Sequence, residues 1–321
     1  MKLKHHLRPI MAIFFRRAFS LLTVGILAMI FFVSKPSLGG ERDEMPKVLR
    51  AGFLSCVFSD VDSRDAQASL ELLTCEISRN MGLKTTPKVI IYPEIKSMTD
   101  AIRRGELDLI SMPTIEFLRI REKFKLIPAF VGAHNNGLGT RYALITRRDS
   151  GIRSFADLKG KTLFLPSFSR HEPSHVWLDV LLMKEGNGNP AMFFHQVKET
   201  QKVSQAIMGV FFRQADGAIV SRSGLDASRL LNPQLDRQLV VLAESRDLSD
   251  GVSCFPADAS ETMRRALTKA VIQVNNSPSG RQLYTIFQTS GALLFRPACL
   301  DGLEDLVREQ KRLKSKGAKR K

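Results

Sequence analysis

The chain is 321 residues long, 44% apolar and 25% charged, an ordinary composition for a soluble protein long enough to form two lobes. Its net charge of +16 sits at the ends: residues 1–40 carry six Lys/Arg and no acid, residues 308–321 carry eight against Glu309 alone, and residues 41–307 balance 34 basic against 31 acidic groups. This excludes disorder, coiled coil, collagen and a polytopic membrane protein, and also a nucleic-acid binder, whose basic groups would spread over the folded surface.

Residues 1–40 have the layout of an export signal: a basic stretch to Arg17, the uncharged run Ala18–Val33, and small Ser37 and Gly39 at the −3 and −1 positions of a cleavage site. The apolar run is shorter than the ~20 residues that span a bilayer, so a cleaved signal is expected rather than a permanent anchor. Cys56, Cys75, Cys254 and Cys299 then lie in the exported part, where an even count permits disulfides or four buried thiols. None has the C-x-x-C spacing of a zinc or redox site.

The elements follow in chain order. Lys47–Leu54 reads as a strand, Asp65–Met81 as a helix stopped by Gly82, and Lys88–Tyr92 as a strand. A helix Ser97–Arg104 ends at Gly105, and Leu107–Ser111 is a third strand. After the strand Tyr142–Thr146 and a turn at Asp149-Ser150-Gly151 the alternation restarts. It runs through a helical turn Phe155–Leu158, a strand Lys161–Leu165, a helix Val176–Lys184 and a helix Lys202–Val210. Strands at Gly217–Val220 and Leu239–Ala243 precede helices at Glu261–Asn275 and Gly280–Gln288. Alternating strands and helices predict an α/β protein with largely parallel sheets, in two lobes, whose ligand lies beyond the carboxyl ends of the strands. No internal repeat is visible, and the tail after Arg308 is expected to fray as a solvated helix end.

The runs YALITRRDSGI (Tyr142–Ile152) and SFADLKGKT (Ser154–Thr162) resemble the signature of the type 2 periplasmic binding proteins, in the phosphonate/phosphite/phosphate branch of ABC-transporter substrate-binding proteins. Gly52–Ser55, the G-x-x-D strand Gly105–Pro113 and Ala215–Val220 fit the same family in order, so the resemblance covers about 48 to 307. It implies a two-lobed fold, each lobe a mixed, mostly parallel sheet flanked by helices, with two interlobe crossings. Lobe 1 would comprise residues 41–138 and 245–307, lobe 2 residues 139–244, with a basic tail at 308–321. It further implies an exported, periplasmic, monomeric receptor that captures a small anion in the cleft and passes it to the membrane subunits of an ABC importer, with no catalytic residue, metal or cofactor. The sequence departs from the family at Pro166–Pro173 (PSFSRHEP), where phosphonate binders carry a Ser-Thr-Ser-Gly-like turn. Phe117 is only a partial counterpart of a family aromatic.

Candidate ligand residues follow from these positions. Ser167, Ser169, Arg170 and His171 precede a helix whose free N–H groups and dipole favour an anion. Ser169 and Glu172 could instead form a capping box. Ser55 and Phe58 follow the first strand, Ser111 and Thr114 end the third, and Tyr142 opens a crossing strand. Asp216 matches a family position that contacts ligand or fixes the hinge, although Asp before Gly is also a common turn. His171-Glu172-Pro173-Ser174-His175 matches H-E-x-x-H, but zinc hydrolysis needs both His on one continuous helix, and Pro173 belongs at a helix start. A membrane-anchored ligand sensor of the same fold is the competing function, and a zinc hydrolase the remote one.

Overall fold

The computed structural model describes residues 45–58, 63–84, 86–133, 138–287 and 289–318; residues 1–40, expected to be an export signal, lie outside the described residues, as do the side chains of Phe58, Ser169 and Arg170. The chain begins with β1 (Arg50–Leu54), a 3-10 turn (Ser55–Phe58), α1 (Ser63–Asn80), β2 (Lys88–Tyr92) and α2 (Ile95–Arg103). Next come β3 (Leu109–Pro113), α3 (Thr114–Phe124) and β4 (Ile127–Ala133). The second lobe contains β5 (Tyr142–Arg147), β6 (Thr162–Pro166), α4 (Phe168–Lys184), α5 (Pro190–Phe193), β7 (Gln196–Thr200) and α6 (Val203–Phe211). It continues with β8 (Gly217–Ser221), α7 (Arg222–Leu231), α8 (Gln234–Gln238) and β9 (Leu239–Glu244). The remainder is β10 (Gly251–Phe255), α9 (Glu261–Asn276), α10 (Pro278–Ile286), β11 (Gly291–Leu294) and α11 (Asp301–Ala318).

The strands form two sheets, one of six in the order β11-β4-β10-β3-β1-β2 and one of five in the order β7-β6-β8-β5-β9. In each, one half is parallel (β2-β1-β3 and β7-β6-β8) and the other antiparallel (β3-β10-β4 and β8-β5-β9). The two-lobed α/β fold is as expected from the sequence; the parallel share is smaller, because β10 and β5 enter their sheets from the crossing segments and run against their neighbours.

Both faces of the first sheet are buried. Phe53, Leu109, Phe130 and Phe255 pack under α1 and α9 through Leu70, Leu73 and Val271. Leu54, Ile110, Met112 and Cys254 pack against Met98 and Phe117 on the other face. Phe117, the partial counterpart of a family aromatic, is thus core, as is Trp177 in the second lobe.

Each lobe closes the amino end of its third sheet strand in the same way. After α2, Gly105 takes φ 65°, its N–H bonds Ile102 O and the Glu106 N–H bonds Ala101 O. After α6, Arg213 takes φ 61°, its N–H bonds Val210 O and the Gln214 N–H bonds Gly209 O. Both are Schellman caps. Three residues on from each left-handed residue stands an aspartate: Asp108 accepts from the Arg50 N–H at 2.9 Å, and Asp216 from the Thr162 N–H at 2.8 Å. Asp108, fully buried, also takes the Arg50 guanidinium at 2.7 and 2.9 Å, and this bond raises the Arg50 pKa against the opposing effect of burial. The two lobes are therefore structural copies, a relationship the sequence conceals.

Residues 134–137 aside, the two crossing segments lie against each other. Thr140 and Leu248 form an antiparallel bridge, the Thr140 hydroxyl donates to Asp250 at 2.8 Å, and the Thr114 and Ser249 hydroxyls are 3.0 Å apart. The backbones approach so closely that a Cβ on Gly139 would lie 2.1 Å from Leu248 O.

The C-terminal segment departs from expectation. Instead of fraying after Arg308, α11 continues to Ala318 and packs on α4, with Gln310 donating to Asp179 at 2.9 Å. Leu303 is fully buried between Ile115 of α3 and Val176 of α4, so this helix ties the two lobes together a third time. Gly139→Ala is expected to cost about 1–3 kcal/mol by forcing the crossing segments apart; urea unfolding should show a lower midpoint at unchanged slope.

Candidate ligand-binding site

The carboxyl ends of β1, β3 and β6 and the crossing segments converge on one place, the cleft where the Ser55–Phe58 turn packs on α4. This geometry follows from parallel strand direction: each of these strands must release its chain at the same edge.

On the second-lobe side, Ser167 is buried, follows β6 and stands at the N-cap of α4 without its side chain closing the cap. Its N–H instead bonds Thr200 O at 3.2 Å. The helix then kinks at His171 (φ −108°, ψ 31°), two residues before Pro173. His171 Nδ1 lies 3.0 Å from the Tyr142 hydroxyl, with the two rings edge to face, and Tyr142 is fully buried. His175 Nε2 donates to Pro166 O at 2.8 Å and the Ser174 hydroxyl to His171 O at 2.7 Å. The two imidazoles thus serve different partners across a kink, which is not the shared helical face that H-E-x-x-H chemistry needs. The Glu172 carboxylate pairs with Arg119 of α3, in the other lobe, and Arg119 also bonds Glu116. Those bonds to Glu172 and Glu116 hold the Arg119 pKa above its ordinary value, outweighing burial, the largest single influence, which lowers it.

On the first-lobe side, Ser55 donates to Pro93 O at 3.3 Å. Ser111 is buried with its hydroxyl 2.7 Å from that of Ser253, its cross-strand partner on β10. Thr114 is tied to the crossing segment through Ser249 and through its N–H, which bonds Asp250 O at 3.1 Å. Cys56, Ser111, Pro113, Asp250 and Ser253 share one cavity of about 190 Å³.

The structure therefore brings Ser55, Ser111, Thr114, Tyr142, Ser167 and His171 to one edge. Phe58, Ser169 and Arg170 belong to the same two loops by backbone position. Asp216 stands apart. It precedes β8, at the end of the strand away from the cleft, and its carboxylate serves the Thr162 N–H; a five-residue strand is about 17 Å long. Sequence reasoning missed Ser253, Arg119 and Glu116. Ser253 was legible in principle, since Gly251–Phe255 alternates small or polar with apolar residues.

All four cysteines are free thiols, so the disulfide alternative does not hold. Burial, then the carboxylates of Glu116 and Glu172, push the Cys56 thiol up to about 11.

A family model described as an ABC transporter, phosphonate, periplasmic substrate-binding protein matches residues 56–298, well over half of the chain. Several solved structures share the fold. A Xanthomonas citri protein, XAC2383, solved bound to ATP, is 18% identical with a TM-score of 0.60, over 84% of this chain and 99% of that one. A binding protein component of an ABC phosphonate transporter from Pseudomonas aeruginosa is 16% identical with a TM-score of 0.58, over 85% and 89%. PhnD1 from Prochlorococcus marinus, in complex with methylphosphonate, is 14% identical with a TM-score of 0.56, over 83% and 99%. No curated protein sequence matches the chain significantly.

At pH 8 a thiol of pKa about 11 holds on the order of two hundredfold less thiolate than an ordinary cysteine near 8.5. Cys56 is accordingly expected to resist alkylation by iodoacetamide in the folded protein, and denatured, unreduced protein should release four thiols to Ellman's reagent.

Proposed function

The chain belongs to the phosphonate-type periplasmic substrate-binding proteins of ABC transporters, and from that premise we propose that it captures a small phosphonate- or phosphate-like anion between its lobes and delivers it to the membrane subunits of an importer. Proteins of this family are periplasmic and bind solutes for transport; they are not enzymes. The observation that carries the reading is the convergence of the β1, β3 and β6 loops on the amino end of α4, within the region that the family model matches.

What supports an anion is chemical. The amino end of α4 presents backbone N–H groups under a favourable dipole, and Ser167 leaves that cap unclosed by its side chain. The Ser55 and Ser111 hydroxyls come from the opposite lobe, and the Tyr142–His171 pair fixes the imidazole beside the α4 kink. By position in the same turn, Ser169, Arg170 and, across the cleft, Phe58 complete the set. A ligand touching both lobes would favour the closed arrangement by its differential contacts, and the Arg119–Glu172 pair already joins the lobes at this point. Such a closed form is what a transporter could distinguish from the empty receptor. Delivery by a monomer is part of the reading.

The test is a thermal-shift panel of phosphonates, phosphite, phosphate, sulfonates, carboxylates and amines. At a hundred times its Kd a ligand adds ~2.7 kcal/mol, a Tm rise on the order of 5–10 °C for this size. A rise confined to the phosphorus oxyanions is expected, and its loss in His171→Ala would place the ligand at α4. A rise with amines alone would refute the anion reading.

A further inference from the structure

The cavity of about 190 Å³ in the first lobe is not shaped for an inorganic oxyanion. Its floor is the sheet. Registered side by side are Phe53, Ser111, Ser253 and Phe130, and one step nearer the cleft are Pro113, Gly251, Gly132 and Ala292. Small residues thus occupy the middle of both rows. The roof is helical and apolar: Leu70, Leu73 and Ile77 of α1, Val271 of α9, Tyr284 of α10. Space remains because small side chains lie under large ones that stop short of the sheet. A close-packed interior does not ordinarily leave such a gap. An apolar void of about 150 Å³ already accommodates a benzene-sized guest.

The cavity is also directional. Cys56, Pro113, Asp250 and Gly251 lie at the strand ends that meet the cleft, while Leu70, Ile77 and Val271 lie deeper. The one polar feature of the floor is the Ser111–Ser253 pair, whose hydroxyls bond each other at 2.7 Å. From the small-residue floor, the apolar helical roof and the opening at the cleft edge we infer that the solute carries an apolar group, the size of a butyl or phenyl substituent, which enters this cavity. The cognate ligand class is then an organic phosphonate or phosphate ester rather than phosphate or phosphite. The inference rests on the cleft being the anion site, so the experiment separates the two.

Calorimetric titration of the protein with methyl-, butyl- and phenylphosphonate reads the apolar group directly. Each methylene that leaves water should tighten binding about fourfold, so butylphosphonate is expected to bind roughly sixtyfold more tightly than methylphosphonate. Two variants fill the cavity from different sides, Ala292→Leu from the floor and Thr74→Leu from the roof, both residues lining it; either should abolish the gain from the butyl group and leave methylphosphonate binding within about twofold. Equal affinities for the methyl and butyl compounds in the wild-type protein would overturn the inference while leaving the anion receptor intact. If no phosphonate binds, toluene decides. A toluene-dependent rise in Tm that vanishes in Thr74→Leu would support an apolar-ligand cavity and refute the anion receptor, and no rise would overturn both.

Discussion

Everything at the cleft is placed by the contact between the two crossing segments. A side chain on Gly139 cannot coexist with Leu248 O at 2.1 Å, so the first crossing must pass the second with backbone against backbone. Around that point, hydroxyls and amides close the remaining gaps: Thr140 to Asp250, Thr114 to Ser249, and the Thr114 N–H to Asp250 O. The start of α11 uses the same economy, because a Cβ on Gly302 would meet Asp247 O at 2.1 Å. Three stretches of chain therefore run through one narrow waist, and the strand ends that face the cleft are held at a fixed offset from it.

The lobes on either side of the waist are two versions of one design. Sheet order, strand direction, Schellman cap and aspartate clasp all correspond. The copies differ in what each clasp holds: buried Asp108 pairs with the partly exposed guanidinium of Arg50, whereas Asp216 holds only a backbone amide at the equivalent point. Asp108 is fully buried, so losing its guanidinium partner would leave a buried carboxylate less well compensated, which costs more than losing a single amide bond, and the first clasp carries more stability than the second. The correspondence escapes the sequence because the second copy uses Arg213 where the first uses glycine. A non-glycine residue at φ 61° accepts roughly 1–2 kcal/mol of steric cost, and no pattern of residue types announces that choice.

The elements that were legible are those whose signals are local. The strands at Arg50–Leu54, Lys88–Tyr92 and Tyr142–Arg147, and the helices halted by Gly82 and Gly105, follow from apolar spacing and from the need for a residue that tolerates positive φ. The loops of the proposed site were legible as loops because they follow those strands. What could not be read were partners distant in sequence. Arg119 finds Glu172 across the lobes, and Ser111 finds Ser253 across 142 residues. The charge run after Arg308 is largely exposed, as read, but stays helical instead of fraying, because Leu303, Leu306 and Val307 just before it give α11 an apolar face that α3 and α4 cover. Charge on one side of a helix says little about the other side.

The five residues from His171 to His175 show why a motif has to be judged by its geometry. H-E-x-x-H works as a metal site only if four consecutive helical steps bring both imidazoles to one face. Here the step at His171 is not helical, its imidazole meets a buried phenol, and the Nε2–H of His175 is committed to the carbonyl at the end of β6. The intervening glutamate, which would be the general base, is engaged by an arginine from the other lobe. Each group is thus oriented by a protein partner, and together they fix the amino end of α4. Groups held in this way are structural supports rather than reacting groups, and on the proposed reading they hold the amino end of α4 in place for recognition of a solute by a few well-placed polar groups.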